Sequence, residues 1–226
     1  MAPAVAKAAI DSGVAKSPIK DWKKYEHQLM ERLGLDNKFV RNLTAKAKRN
    51  PKKVVFAEAD TYKVLKAAEM ALEEGIAEPI LLGREIKINK IIQEYNLDLP
   101  NCIIIDPRSD ETIDQRERFA KILHEKRKRR GLTFYEAKKM MRERNYYASA
   151  MVETGMADVM ISGITRSYKE TIRPALQVIG AEEGINKIAG MYILISKDGP
   201  IFFADTTINI NPCLLYTSDA ADDQLG

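Results

Sequence analysis

Cysteine and histidine are almost missing from this chain: two of each in 226 residues. Cys102 and Cys213 have no metal-ligand spacing and cannot build a disulfide framework, which predicts a reducing, cytoplasmic setting. His27 and His124 are too few for a histidine-rich metal site. No apolar run approaches the roughly 18 residues that span a bilayer. The N-terminus lacks a basic segment followed by an apolar stretch, so neither a membrane nor a signal peptide is expected. Charge of one sign does not dominate either: 36 Lys and Arg face 32 Asp and Glu, a net +4. So small an excess does not by itself imply a nucleic-acid partner. No GxGxxG motif or P-loop marks a nucleotide site. What the chain does have is 45% apolar residues, enough for a packed core and against global disorder.

The apolar residues are arranged in two periods. Short continuous runs, Val54–Ala57, Pro79–Leu82, Cys102–Ile105 and Val159–Ser162, read as buried strands. Between them lie amphipathic stretches of helical period. Tyr62–Glu74 turns Leu65, Ala68 and Leu72 inward, and Glu85–Tyr95 does the same with Ile88, Ile91 and Ile92. Thr112–Arg130 reads as one long charged helix stopped by Gly131, and Thr133 to Glu136 as a capping box that starts the next. This alternation predicts an α/β fold, an open three-layer parallel sheet with helices on both faces. Farther along, Met191–Ser196 and Ile201–Ala204 flank Lys197-Asp198-Gly199-Pro200, a hairpin signal. Before the sheet, residues 1–19 read as a short helix broken at Gly13 and Pro18. Lys20 to about Arg49 reads as a polar helix with Trp22, Tyr25, Leu29 and Leu33 on one face.

The stretch richest in chemistry is Ser162-Gly163-Ile164-Thr165-Arg166-Ser167, which leaves a strand and enters a helix. Ligands of open α/β sheets bind beyond the carboxyl ends of strands. A helix N-terminus there offers unpaired N–H groups suited to phosphate. Gly163 lets a ligand approach the backbone, and Thr165 and Ser167 add hydroxyls. Arg173 precedes Pro174, which places the regular helix start at that point and Arg173 at its mouth. An ordinary strand-to-helix turn with a surface arginine would give the same sequence. Lys126–Arg130 is compatible with a nuclear-localisation or nucleic-acid patch, with an anion grip, or with a solvated helix end. Consecutive helical residues point all round the axis, so only one or two of the five can face any one ligand. Glu58 and Asp60 follow the first strand, where carboxylates serve acid–base or metal chemistry, or Asp60 serves as a helix N-cap. Asp205 and Asn209 are equally open, and His124 reads as a surface residue without a partner.

Several segments together resemble the phosphate acetyl/butyryltransferase family over residues 50–212. They are Phe56-Ala57-Glu58-Ala59-Asp60, Asp106-Pro107-Arg108, Arg127–Thr133 and Gly155-Met156-Ala157-Asp158 with Ser162-Gly163. To these are added Thr171-Ile172-Arg173-Pro174-Ala175-Leu176-Gln177 and Phe203-Ala204-Asp205 through Asn209-Ile210-Asn211-Pro212. The resemblance implies a two-part α/β fold whose second half is incomplete here, with the family's catalytic serine-arginine pair farther on. It matches Arg127 and Arg173 to arginines that bind phosphate or acetyl-phosphate oxygens, and puts Ser162, Gly163 and Thr165 in the same ligand loop.

Residues 3–19 and then Asp21-Trp22 and Tyr25-Glu26 are similar to the end of the NADP-binding region and the joining helix of bacterial malic enzymes. That similarity implies a tail of the NADP-binding domain at 1–19, a joining helix at 20–50 and an acetyltransferase-like domain at 51–212. Residues 213–226, where the composition changes abruptly, are expected to be non-native. In such an architecture the acetyltransferase-like domain is a regulatory and oligomer-forming module that senses acetyl-CoA. Tyr62-Lys63 stands where active family members often carry Arg, and Thr165–Tyr168 departs from their usual loop. The resemblance thus implies acetyl-CoA or a related acyl ligand and homo-oligomers. It implies neither nucleic acid nor membrane, and it puts NADP and Mg or Mn in an upstream domain.

Overall fold

The structure, a computed structural model, describes residues 2–15, 17, 19–22, 25, 38–182, 184–185, 188–196, 199–205 and 207–209. Leu29, Leu33, most of the expected joining helix, the hairpin's Lys197-Asp198 and the 213–226 tail lie outside the described residues. The chain divides into two compact units, residues 46–188 and residues 1–45 with 189–226.

Residues 46–188 hold the parallel sheet. Its strands are β1 (Lys52–Phe56), β2 (Ala77–Leu82), β3 (Ile103–Ile105) and β4 (Val159–Ile161), in the order β3-β2-β1-β4. Every neighbouring pair is parallel, with Val55 opposite Ile80 on one side and Met160 on the other. Alternate residues of a strand point to opposite faces, and the core splits accordingly. Val55 and Ala57 of β1 and the turn after it face one cluster that includes Phe119, Leu123, Met141, Tyr147 and Met151. Val54, Phe56 and Ala59 face a second that includes Leu65, Ala68, Leu81 and Ile88. Helices therefore cover both faces, as the short unbroken apolar runs require. β4 ends the sheet, and its Val159 and Ile161 side chains are exposed.

The helices of this unit are α3 (Tyr62–Glu73) and α4 (Glu85–Glu94) on the second cluster. On the first are α5 (Ile113–Arg127), α6 (Phe134–Met140), α7 (Arg144–Glu153) and α8 (Tyr168–Val178). The stretch expected as one helix from Thr112 to Arg130 is three pieces. Asp110–Thr112 is a 3-10 turn begun by Ser109, whose hydroxyl accepts from the Glu111 amide; α5 follows, and Lys128–Arg130 is a closing 3-10 turn. Gly131, at φ +85°, then takes the left-handed conformation that stops the helix at small cost only for glycine. The Thr133–Glu136 capping box forms as its spacing demands, side chain and backbone serving each other.

The other unit contains α1 (Ala2–Asp11) and most of α2 (Lys38–Arg49). It also contains the antiparallel pair β5 (Met191–Ser196) and β6 (Gly199–Ala204), in which Ile193 lies opposite Phe202. Phe39 of α2 meets Phe202 edge to face at 5.9 Å. Asp205 is buried, and its carboxylate accepts from the Asn209 backbone amide at 3.2 Å and side-chain amide at 2.8 and 2.9 Å. The Asp205–Asn209 pair is thus a structural turn.

Candidate functional site

The strand order sets the place for a site. The chain builds β1, β2 and β3 outward in one direction, then returns to lay β4 on the far side of β1. Crevices open at such switch points, beyond the carboxyl ends of the two strands. Here the turn after β1 (Ala57–Asp60) faces the loop after β4 (Ser162–Ser167).

The loop is held across that crevice by one carboxylate. Glu58 is buried, and its Oε2 accepts from the amides of Gly163 at 2.9 Å and Ile164 at 2.7 Å. Its Oε1 accepts from the Thr165 amide at 3.0 Å and from Thr165 Oγ1 at 2.5 Å. Burial alone would raise the Glu58 carboxyl, but the hydrogen bonds from Thr165, Ile164 and Gly163 together outweigh it and hold it below its ordinary value. The loop amides expected to be open to phosphate are therefore occupied by the chain's own anion. Gly163 sits at φ +115°, and a Cβ there would meet nothing nearer than Thr171 at 3.8 Å. Backbone conformation, and not lack of space, is what demands glycine.

The helix after the loop starts earlier than Pro174 suggested. Ser167 is its N-cap, in a capping box with Glu170, so α8 runs from Tyr168 and Pro174 lies inside it. Arg173 is consequently a mid-helix residue, not one at the helix mouth. Proline in a helix interior lacks the N–H that would bond the carbonyl four residues back, here that of Glu170. Asn145 Nδ2 donates to that carbonyl at 3.4 Å, while Asn145 Oδ1 accepts from Ser162 Oγ at 2.8 Å.

Two adjoining cavities share Glu143, Asn145 and Arg166. The first, about 320 Å³, adds Glu58, Asp60, Lys87, Arg144 and Thr165. Asp60 does not cap α3, whose N-cap is Thr61. Its carboxylate instead takes a two-pronged grip from Arg144, at 2.5 and 2.8 Å, with Lys87 Nζ at 3.3 Å. The Arg144 hydrogen bonds, against some burial, hold the Asp60 carboxyl down at about 2. The second cavity, about 340 Å³, is lined by Arg173, Lys169, Glu170, Tyr146 and Pro174 besides the shared residues. Arg166 spans it between Glu143 at 3.7 Å and Glu170 at 3.8 Å. Neither Lys169 nor Arg173 has an ion-pair partner among the described residues. The cavity thus offers two uncommitted cations beside a half-buried tyrosine, a setting for an anion.

Of the five residues the sequence singled out, then, Thr165 lines the first cavity and Arg173 the second. Ser162 is engaged with Asn145, and Gly163 with Glu58. Arg127 lines neither cavity. Its Nη2 donates to Leu176 O at 2.6 Å and its Nε to Gln177 O at 3.2 Å. Beside it Lys126 donates to Val178 O at 2.7 Å and Ile179 O at 3.2 Å, and pairs with Glu153. Two cations of the basic run thus cap the C-terminus of α8, where unpaired carbonyls collect negative charge. Tyr146 lies between the two arginines: burial raises its hydroxyl, Arg173 and Arg127 pull the other way, and it donates to Gln177 Oε1 at 2.6 Å. His124 is not a lone surface residue, since its Nδ1 lies 3.0 Å from Leu132 O and its ring meets Phe134 edge to face. Arg144, Asn145 and Tyr146 had no signal in the sequence. They begin α7, far in the chain from Asp60, Ser162 and Gln177, and only folding brings them together.

Residues 38–222 match the phosphate acetyl/butaryl transferase family. An NADP-dependent malic enzyme of Haemophilus influenzae is 32% identical over 213 residues, 94% of this chain and 28% of that protein. A phosphate acetyltransferase of Helicobacter pylori is 38% identical over 174 residues, 77% of this chain and 33% of that protein. Among solved structures, the EutD phosphotransacetylase from Staphylococcus aureus superposes with a TM-score of 0.66 at 30% identity, over 77% of this chain and 52% of that one. The chain spans about a third or less of the length of these two curated relatives. With that match joined to a parallel sheet, a β1/β4 crevice and the arginine-bearing helix beside it, the chain belongs to the phosphate acetyl/butaryl transferase family.

Proposed function

We propose that this chain is the acetyltransferase-like part of an NADP-dependent malic enzyme, and that it binds acetyl-CoA and regulates the parent enzyme within a cytoplasmic homo-oligomer. One observation carries the choice: the malic enzyme match takes in 94% of the chain and the phosphate acetyltransferase match 77%. The parent would convert malate to pyruvate and CO2. Its NADP and its Mg or Mn belong, on this reading, to the part of the malic enzymes that this chain does not match. Among the described residues no three or more His, Cys, Asp or Glu side chains gather as a metal would require.

The ligand's phosphate or thioester end is assigned to the second cavity, facing Arg173 with Lys169. A planar guanidinium with several donors suits such oxygens. Arg127, committed to the carbonyls of α8, contributes by holding the helix that carries Arg173. The same commitment of Lys126 and Arg127, and the pairing of Lys128 with Glu125, speak against a nucleic-acid surface on the basic run. No helix among the described residues is long and apolar enough to cross a membrane. A second reading, acetyl transfer between CoA and phosphate, is favoured by the higher identity, 38%, to the phosphate acetyltransferase.

Calorimetric titration of acetyl-CoA into the full-length protein and its Arg173→Ala variant tests the assignment. A loss of roughly tenfold or more in affinity is expected from removing a charged hydrogen-bond donor. Unchanged affinity would overturn it. Formation of acetyl phosphate from acetyl-CoA and phosphate would favour the second reading.

A further inference from the structure

Arg173 stands one residue before an intrahelical proline, at the place where α8 is least able to hold itself. Pro174 provides no N–H for the Glu170 carbonyl, and its ring presses on that same carbonyl. A helix in this state kinks unless a neighbour takes up the freed group. The neighbour here is one side chain. Asn145 is 6% exposed, and its two ends are both used. Ser162 Oγ donates to Oδ1 at 2.8 Å, which fixes the amide so that Nδ2 faces α8 and reaches Glu170 O at 3.4 Å. Ser149 Oγ, one turn along α7, donates to the Asn145 carbonyl at 2.7 Å. Asn145 also lines both cavities of the candidate site.

We propose that Asn145 is a positioning residue: by bridging Ser162 at the end of β4 to the carbonyl that Pro174 orphans, it fixes the course of α8 at that point and so where Arg173 meets its anionic ligand. On this account Ser162 acts through Asn145 and does not touch the ligand. The chain of contacts runs from the sheet to the ligand-facing side chain: strand end, hydroxyl, amide, helix carbonyl, arginine. The inference rests on the reading of Arg173 as a ligand contact, and the test separates the two.

The pairing of Asn145 with Pro174 makes a specific prediction. Pro174→Ala restores the missing N–H, so the Glu170 carbonyl regains an intrahelical partner and no longer needs Asn145. Acetyl-CoA affinity would be measured by calorimetry on the full-length protein as wild type, Asn145→Ala, Pro174→Ala, the double variant and Arg173→Ala, with each thermal midpoint recorded alongside. Asn145→Ala is expected to weaken binding about tenfold, and the double variant to recover most of that loss, an interaction that independent sites do not show. Should Asn145→Ala fail to fold while the double variant folds and binds, the same coupling is demonstrated. If Arg173→Ala weakens binding but Asn145→Ala, folded, leaves affinity unchanged, the positioning role is refuted. It is refuted equally if the double variant binds no better than Asn145→Ala, or if neither of them folds. If Arg173→Ala itself leaves affinity unchanged, the reading beneath the inference falls, and the inference with it.

Discussion

Replacing Asp60 with Asn should cost this chain roughly 2 kcal/mol at neutral pH, and the loss should vanish in acid. Arg144 grips the carboxylate through two nitrogens, at 2.5 and 2.8 Å. Both partners are largely shielded, with side chains 14% and 31% exposed, so water screens the pair only partly. Lys87 adds a longer contact from a side chain 46% exposed, worth little by itself. These partners lower Asp60 from 3.8 to about 2. At about 1.4 kcal/mol per pKa unit that gap corresponds to roughly 2 kcal/mol. The native value lies below the unfolded one, so the stabilisation is complete above the unfolded value of 3.8. It is lost as pH falls through the native value of about 2. Asn keeps the shape and one acceptor but not the charge, and it leaves Arg144 without its counterion. Urea unfolding followed by far-UV circular dichroism, wild type against Asp60→Asn, cancels every other carboxylate in the difference. The difference should be flat near neutrality and shrink between the two pKa values. A variant as stable as wild type at neutral pH, or a gap that persists unchanged in strong acid, would refute the reasoning.

Glu58→Gln should release the Ser162–Ser167 loop, because one amide oxygen cannot serve three backbone donors and a hydroxyl. A loss of roughly 1–3 kcal/mol is expected, with faster hydrogen exchange at Gly163, Ile164 and Thr165. Because Glu58 is held below its ordinary 4.5, the same loop should stay protected above that value in the wild type and loosen only as pH drops well beneath it. Arg127→Ala should lower thermal stability by roughly 1–3 kcal/mol, since the Leu176 and Gln177 carbonyls lose their donor. It should change acetyl-CoA affinity less than Arg173→Ala does, and the reverse order would make Arg127 a direct ligand contact.

The strands and helices could be recognised before folding because their signals are local. Val54–Ala57 and Pro79–Leu82 are unbroken apolar runs, Leu65 and Ala68 lie a helical turn apart, and Thr133 and Glu136 sit at the spacing of a capping box. Ser167 and Glu170 sit at that spacing too, and it is this box and not Pro174 that begins α8, several residues before the start that a proline in the first turn predicts. The family pattern was likewise visible, because it consists of short segments at fixed positions in the chain. The partners of the site were not. Glu58 and Gly163 are 105 residues apart and Asp60 and Arg144 are 84 apart, so no periodicity connects them.

The sequence alone thus determined the alternation of elements, the parallel three-layer sheet and the hydroxyl- and glycine-bearing turn that follows β4, since each follows from neighbours within a turn or two of chain. Only the tertiary structure decided which groups in that loop are free. The return of β4 beside β1 brings a carboxylate onto the loop amides, turns Arg127 and Lys126 to the end of α8, and leaves Lys169 and Arg173 open. Charges and hydrogen bonds choose partners by distance in space, and that distance exists only once the chain has folded.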